Sequence, residues 1–466
     1  MEIITIWLLL ILGVLWGLSL GYFAWVSWKE KERRATRLSF VFALAGVGLF
    51  GLFALLPHPL RLGILAGMGL AGLTALLLFL WPIGQVVVGP DTPAERFDER
   101  RIMFARARLL PGSPEFEAYY RAHPQDQAGD EATRRLPGLM SPDSRFYESP
   151  LFASPEGSFF LTEVLRNAVQ PGAAAGSEPA DRPAPASPEA SLDPAAMTAY
   201  LKSLARYYGA LQVGVTELQP YHVYSHIGRG TGQYGAEIPF EGGYAIAFTV
   251  EMDFEMVAAA PRGATLMESA RQYVESARVA VQLAAAIRAL GYPARAHIDG
   301  NYRVIAPLVG RDAGLGEIGR MSLLMAPRHG PRLRLGVVTT QMPLLPDGRR
   351  PDPALIDFCN LCQKCVHNCP GQAIPAGPRQ LQDGFLRWKL DPQACFRYWN
   401  IAGTDCGRCL AVCPYAHPDN LAHNLVRWGI ARSGAFRRLA VWLDDLFYGK
   451  RPKPHAAPAW TRINRG

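Results

Sequence analysis

Apolar residues dominate the first ninety positions, and charge interrupts them only at Glu2, in the run Lys29–Arg37 and at Arg61. The uncharged stretches Ile3–Trp28, Leu38–Leu60 and Leu62–Pro90 each exceed the roughly 20 apolar residues that a helix rising about 1.5 Å per residue needs to cross a bilayer. Three membrane-spanning helices are predicted within 1–90. Lys29, Lys31, Arg33, Arg34 and Arg37 crowd the first loop whereas the second offers only Arg61, so the positive-inside bias puts the first loop in the cytoplasm. Three crossings return the chain to that side, where Arg96, Arg100, Arg101, Arg106 and Arg108 follow. The expectation is a multi-pass inner-membrane protein, in contact with the lipid bilayer, whose remaining domains face the cytoplasm. Arg33-Arg34 is the competing signal, for twin-arginine export, but Ala35-Thr36-Arg37 lacks the apolar pair such a signal carries. His58 is the only histidine in the spans, so paired ligands for a membrane haem are absent.

Beyond the spans the pattern changes. Residues 91–170 mix short helical stretches with breaks such as Leu110-Pro111-Gly112, and 171–195, rich in Ala, Pro and Ser, read as a linker or surface loop. A helical pattern at Ala195–Tyr208 leads into a strand candidate at Ala210–Glu217, and Tyr244–Val250 and Leu333–Thr340 are further strand candidates. Ala264–Leu290 is the strongest helical segment, stopped by Gly291 with Pro293 close behind. This order predicts an α/β or α+β core over 196–355, then a cysteine-rich module at 356–425 and a basic C-terminal tail at 426–466. Gly228-Arg229-Gly230-Thr231-Gly232 lacks both the P-loop lysine and the dinucleotide spacing, and reads as a turn.

The formal charge of +8 invites a nucleic-acid reading, but it counts all 8 cysteines as neutral. They occupy only positions 359 to 413, which excludes a disulfide scaffold spread through a secreted chain. Eight thiolates on two cubane cores would leave about +4. Cys359-x2-Cys362-x2-Cys365-x3-Cys369-Pro370 matches the bacterial ferredoxin run, and Cys395-x10-Cys406-x2-Cys409-x3-Cys413-Pro414 repeats it with a widened first gap. By the shared-ligand rule Cys359, Cys362, Cys365 and Cys413 hold one [4Fe-4S] cluster, and Cys395, Cys406, Cys409 and Cys369 hold the other. Structural zinc, which favours two separated Cys-x2-Cys pairs, fits poorly.

Over about residues 98–425 the chain resembles the corrinoid- and iron–sulfur-dependent reductive dehalogenases. The matching stretches are DERRIMFARARLLPG (98–112), EAYYRAHP (117–124), LGYPARAHIDGN (290–301), AGLGEIGR (313–320), GPRLRLGVVTT (330–340), the two cysteine runs and CPYAHPDN (413–420). Epoxyqueuosine reductase is a more distant resemblance. The first resemblance implies a nitroreductase-like core holding a base-off corrinoid (cobalamin), joined to a ferredoxin-like module with two [4Fe-4S] clusters. No Asp-x-His-x-x-Gly run is present to offer cobalt a histidine. It also implies a tyrosine proton donor with a small hydroxyl residue one helical turn earlier and a cation nearby; Tyr273 and Ser269 match that spacing, and Arg332, then Arg334, are the candidates for the cation. A cation beside a phenol is expected to lower its pKa. Tyr244, Tyr292 and Tyr302 are rival donors, Asn301 or Asp299 is the candidate pocket residue, Gly314 and Gly316 are candidates for close approach to the corrin, and Trp399 with Tyr398 for closing the pocket.

The implied activity is reductive dehalogenation of a small organohalide, driven by a membrane-associated or soluble electron donor, with no nucleic acid bound. Two alternatives compete with it: a corrinoid-dependent epoxide reductase acting on a modified nucleoside, and a non-catalytic membrane ferredoxin. The second leaves the whole stretch between the spans and the cysteines without a task.

Overall fold

The computed structural model describes residues 2–81, 88–149, 151–169 and 193–461. The chain opens with three long helices, α1 (Glu2–Lys29), α2 (Arg33–Leu55) and α3 (His58–Leu80). After them come α4 (Pro114–Ala122), α5 (Pro124–Arg134), α6 (Ala153–Arg166) and α7 (Pro194–Tyr207). Strands β1 (Gln212–Glu217) and β2 (Tyr244–Glu251), helix α8 (Gly263–Ala289), and strands β3 (Ala294–His297) and β4 (Leu333–Thr340) build the centre. Helices α9 (Pro353–Cys362), α10 (Pro392–Ala402), α11 (Leu421–Arg432) and α12 (Gly434–Tyr448) follow. Most of the linker expected at 171–195 lies outside the described residues; its end is the N-cap Asp193 and the first turn of α7.

The chain divides into two units, one made of Met1–Val87, Pro353–Cys362 and Pro418–Lys453, the other of the remaining residues. In the first, α1 to α3 are each long and apolar enough to cross a membrane. Gly13, Gly17 and Gly46 let α1 and α2 approach closely, since a Cβ on them would meet Phe50, Val47 and Trp16 within 2.8 Å. Arg61 is not the loop charge expected from the sequence. It sits in the first turn of α3, buried, where it donates to Thr5 Oγ1 at 3.1 Å and to the carbonyls of Ala54 at 3.3 Å and Leu56 at 2.8 Å, satisfying backbone acceptors left over at the end of α2.

The expected tail is also corrected. Its first part forms α11 and α12, capped by Asn420 and Ser433, and both belong to the same unit as the three long helices. Phe79 of α3 stacks on Trp428 with centroids 5.5 Å apart, and Phe447 meets Phe23 of α1 at 5.2 Å and Phe42 of α2 at 6.2 Å. Glu30 accepts from Asn420 Nδ2 at 3.0 Å and lies 2.9 Å from His423 Nε2. Helix α9 joins them through Asp357, which pairs with Arg437 at 2.5 Å.

In the second unit the four strands form an antiparallel sheet in the order β1-β2-β4-β3. Both faces are covered. Val215, Ile246, Phe248 and Val338 pack against Leu283, Ala284 and Ile287 of α8, while Ala245, Ala247 and Val337 face Val309, Leu315 and Leu324. Two-sided burial explains why β2 and β4 read as nearly continuous apolar runs. Gly336 stands opposite Phe248 in the register, and a Cβ there would lie 2.2 Å from the ring. Leading into this core, Arg106 pairs with Asp130 at 2.7 Å, and Tyr120 donates to the same carboxylate at 2.9 Å, fastening α4 and α5.

Candidate active site

Helix α8 and strand β4 are placed side by side by the apolar face described above, and their polar positions meet at one end of the sheet. Ser269 and Tyr273, four residues apart, share a face of α8. Arg334, the second residue of β4, lays its guanidinium 4.7 Å from the centre of the Tyr273 ring. Its NH2 donates to Ser269 Oγ at 2.6 Å and to Asp405 Oδ2 at 3.1 Å, and Ser269 Oγ donates to the same carboxylate oxygen.

Of the two cations proposed from sequence, then, Arg334 is the one beside the tyrosine. Arg332 is buried elsewhere, donating to the carbonyl of Ala416 at 2.9 Å and pairing with Glu251 at 2.7 Å. The expected direction of the phenol shift is corrected too. Arg334 is the strongest influence on Tyr273 and favours the phenolate, but burial together with Asp299 and Asp405 outweighs it and holds the phenol above its ordinary value. The group stays protonated through neutral pH. Among the rivals, Tyr244 and Tyr292 pack against the sheet core. Tyr302 lies within electrostatic reach of Tyr273 and Arg334, and burial pushes its phenol up strongly.

Asp405 was not singled out by sequence reasoning. Its signal was its position, immediately before Cys406 and the only acidic residue between Asp391 and Asp419. Cys406 adopts φ 58°, a left-handed conformation that costs a non-glycine residue roughly 1–2 kcal/mol. Bonds hold it there: its N–H donates to Thr404 Oγ1 at 3.2 Å, and Gly407 N donates to the Asp405 carbonyl at 2.7 Å.

None of the eight cysteines is in a disulfide. Cys359 and Cys362 lie on α9, Cys365 on the short helix Lys364–Asn368, and Cys413 is buried before a 3-10 turn. Cys369, Cys395, Cys406 and Cys409 lie within electrostatic reach of one another. Burial, reinforced by their mutual repulsion as thiolates, pushes the thiols of Cys395 and Cys406 up to about 11 and about 12. Buried thiols without disulfides fit a soft metal that displaces their protons, as iron–sulfur ligation does.

Other expected residues are engaged by the protein itself. Asn301 is fully buried, accepting from Arg295 at 2.8 Å and donating to the Arg166 carbonyl at 3.2 Å, so its amide braces the Asp299-Gly300 turn. A Cβ on Gly316 would lie 2.2 Å from the Met325 carbonyl oxygen, and one on Gly314 2.8 Å from that of Gly348; close packing of the chain's own backbone is sufficient reason for both glycines. Trp399 lies 5.5 Å from Phe104 and hydrogen-bonds the Cys395 sulfur one helical turn away, opposing part of the rise that burial imposes on that thiol. Tyr398 is partly buried nearby. The Gly228–Gly232 turn is filled by a carboxylate of the protein, because Glu99 Oε2 accepts from Gly228 N at 2.9 Å and Arg229 N at 3.1 Å. A cavity of about 430 Å³ lined by Arg295, His297, Arg303 and Thr339 opens at the opposite end of β4 from Arg334, away from the tyrosine.

The sheet covered on both faces and the clustered cysteines together define an α/β domain joined to an iron–sulfur module, and the 4Fe-4S dicluster domain family matches residues 358–417. Among proteins so built, the chain is similar to reductive dehalogenases. It is 31% identical over 303 residues to the tetrachloroethene reductive dehalogenase of Sulfurospirillum multivorans, covering 57% of this chain and 59% of that one. Two solved structures share the fold. One is a reductive dehalogenase said to suggest a mechanism for B12-dependent dehalogenation, with 24% identity, TM-score 0.62 and coverage of 78% of this chain and 49% of its own. The other is the catabolic reductive dehalogenase NpRdhA in complex with 3-bromo-4-hydroxybenzoic acid, with 23% identity, TM-score 0.60 and coverage of 80% and 50%. The chain thus spans about half the length of these structures. Epoxyqueuosine reductase of a Synechococcus species is more distant, at 30% identity over 164 residues, 30% of this chain and 46% of that one.

Proposed function

We propose that the protein is a membrane-anchored reductive dehalogenase that replaces a halogen on a small organic molecule by hydrogen, consuming two electrons and one proton and releasing halide. The observation that carries this reading is the contact of Tyr273 with an Arg334–Ser269–Asp405 chain that ends one residue before Cys406. It sets a loaded proton donor beside a chain of contacts that leads to the cysteine module. When bound, a base-off corrinoid with two [4Fe-4S] clusters on the eight cysteines would supply the electrons for breaking the carbon–halogen bond. Arg334 Nε and Asp405 Oδ1, buried without partners among the described residues, offer that group one donor and one acceptor.

The chain's own residues do the rest. Tyr273 delivers the phenolic proton to the carbon that loses halogen, Arg334 steadies the phenolate left behind, and Ser269 with Asp405 fixes Arg334 in place. The cytoplasm is the side proposed for this chemistry. Anaerobically purified protein is expected to contain about eight irons and one cobalt and to release halide from an organohalide panel, with no turnover of epoxyqueuosine tRNA. Tyr273→Phe abolishes turnover while the cluster and corrinoid spectra stay intact. Iron without corrinoid would leave only the ferredoxin reading.

A further inference from the structure

Helices α11 and α12 wear their polarity inside out. On α11 the residues turned inward are His423, Arg427 and Ile430, whereas Leu421, Leu425 and Trp428, at the same i, i+4, i+7 spacing on the other side, are 62%, 57% and 49% exposed. On α12 Arg437, Ala440 and Phe447 point inward while Leu439 and Trp442 face out, Trp442 at 60% exposure. A helix facing water would carry the charges outside and the leucines within. The inward charges have partners that explain them: Arg437 pairs with Asp357, and His423 meets Glu30. On the outward side Trp428 meets Phe79 and Arg432, while Leu421, Leu425, Leu439 and Trp442 stand exposed.

The place of these helices in their unit says what covers them. They pack where α1 ends, α2 begins and α3 ends, through Phe23, Phe42 and Phe79, so the outward stripe continues the exposed apolar surface of the three long helices. Arg432 lies 4.6 Å from the Trp428 ring and is exposed, as is Arg438, adding cations beside the Lys29–Arg37 run. Tryptophan and arginine at the edge of an apolar surface are the composition of a membrane–water interface.

We infer that α11 and α12 form an amphipathic collar seated in the headgroup layer of the bilayer, on the side of the Lys29–Arg37 loop, with Leu421, Leu425, Trp428, Leu439 and Trp442 in contact with lipid. The inference rests on α1 to α3 spanning the membrane. The end of α1, the start of α2 and helices α11 and α12 are then tied to one leaflet, and α9, which carries Cys359 and Cys362 and is clamped to α12 by Asp357, lies beside it.

The test is labelling of the full-length protein in phosphatidylethanolamine/phosphatidylglycerol vesicles with a lipid-dissolved apolar carbene photoprobe, mapped by mass spectrometry, with hydroxyl-radical oxidation as the converse measurement. Leu345 and Leu381, 58% and 66% exposed in the other unit, serve as water-facing references. The expected result is carbene adducts on the outward residues of α11 and α12 at the level of the spans, well above the references, and loss of radical oxidation at Trp428 and Trp442. Labelled spans with oxidised, unlabelled Trp428 and Trp442 would overturn the collar alone, and unlabelled spans would overturn the membrane reading with it. Protection from both reagents would assign the face to another protein and equally reject lipid.

Discussion

Tyr273 holds its proton against Arg334, the nearest cation, because burial and two carboxylates oppose that cation. A donor with a raised pKa is protonated below that value and lost above it, so activity should persist through neutral pH and fall only on an alkaline limb above the ordinary phenol range of about 10. Asp405→Asn keeps an oxygen for Ser269 and Arg334 but removes a charge that raises the phenol, and the limb is expected to move to lower pH. A rate–pH profile beside a tyrosinate absorbance titration, each referenced to Tyr273→Phe, checks this; an unmoved limb would take the Asp405 charge out of the site. Arg332→Gln, by contrast, should leave the profile in place and lower thermal stability, because it strips a buried cation from Glu251 and the Ala416 carbonyl. Both arginines lie in one short motif, and sequence spacing alone gave no reason to prefer Arg334. The choice depends on which side chain finds a carboxylate from the cysteine module.

At the scale of elements, periodicity was a good guide wherever burial was extensive. The strand Leu333–Thr340 coincides with the expected one, and α8 departs by a single residue at each end from the expected Ala264–Leu290, because both elements bury apolar positions that leave a clear signature. Gly291, at φ 86°, ends the helical segment as expected. The core between them is tight: Phe248 is fully buried and fills the space opposite Gly336. Phe248→Ala should cost about 3–5 kcal/mol of unfolding free energy, read as a lowered denaturation midpoint, and should loosen the strand that positions Arg334. A wild-type midpoint would deny the sheet that role. Residues 426–466 were expected only as a basic tail, and the helices there and the direction of their apolar stripe relative to the rest of the unit are tertiary facts.

For the whole molecule, the alternation of three long helices puts the end of α1, the start of α2 and the end of α3 together with α11 and α12. A reporter fused after Arg108 is expected to read cytoplasmic, in agreement with the Lys29–Arg37 run; a periplasmic signal would restore the export alternative and invert the sidedness of the collar. The three long apolar helices, the dicluster module and the likeness to dehalogenases were legible in the sequence, because apolar length and cysteine spacing are local in the chain and need no folding to be read. Tertiary structure alone decided that Arg334 rather than Arg332 attends Tyr273, that Asp405 joins the cysteine module to the proton donor, that Glu99 occupies the glycine turn, and that the first part of the basic tail belongs to a helical pair packed on the long helices. Each is a contact between residues far apart in sequence, where charge and burial are determined by what the fold brings near rather than by what lies next along the chain.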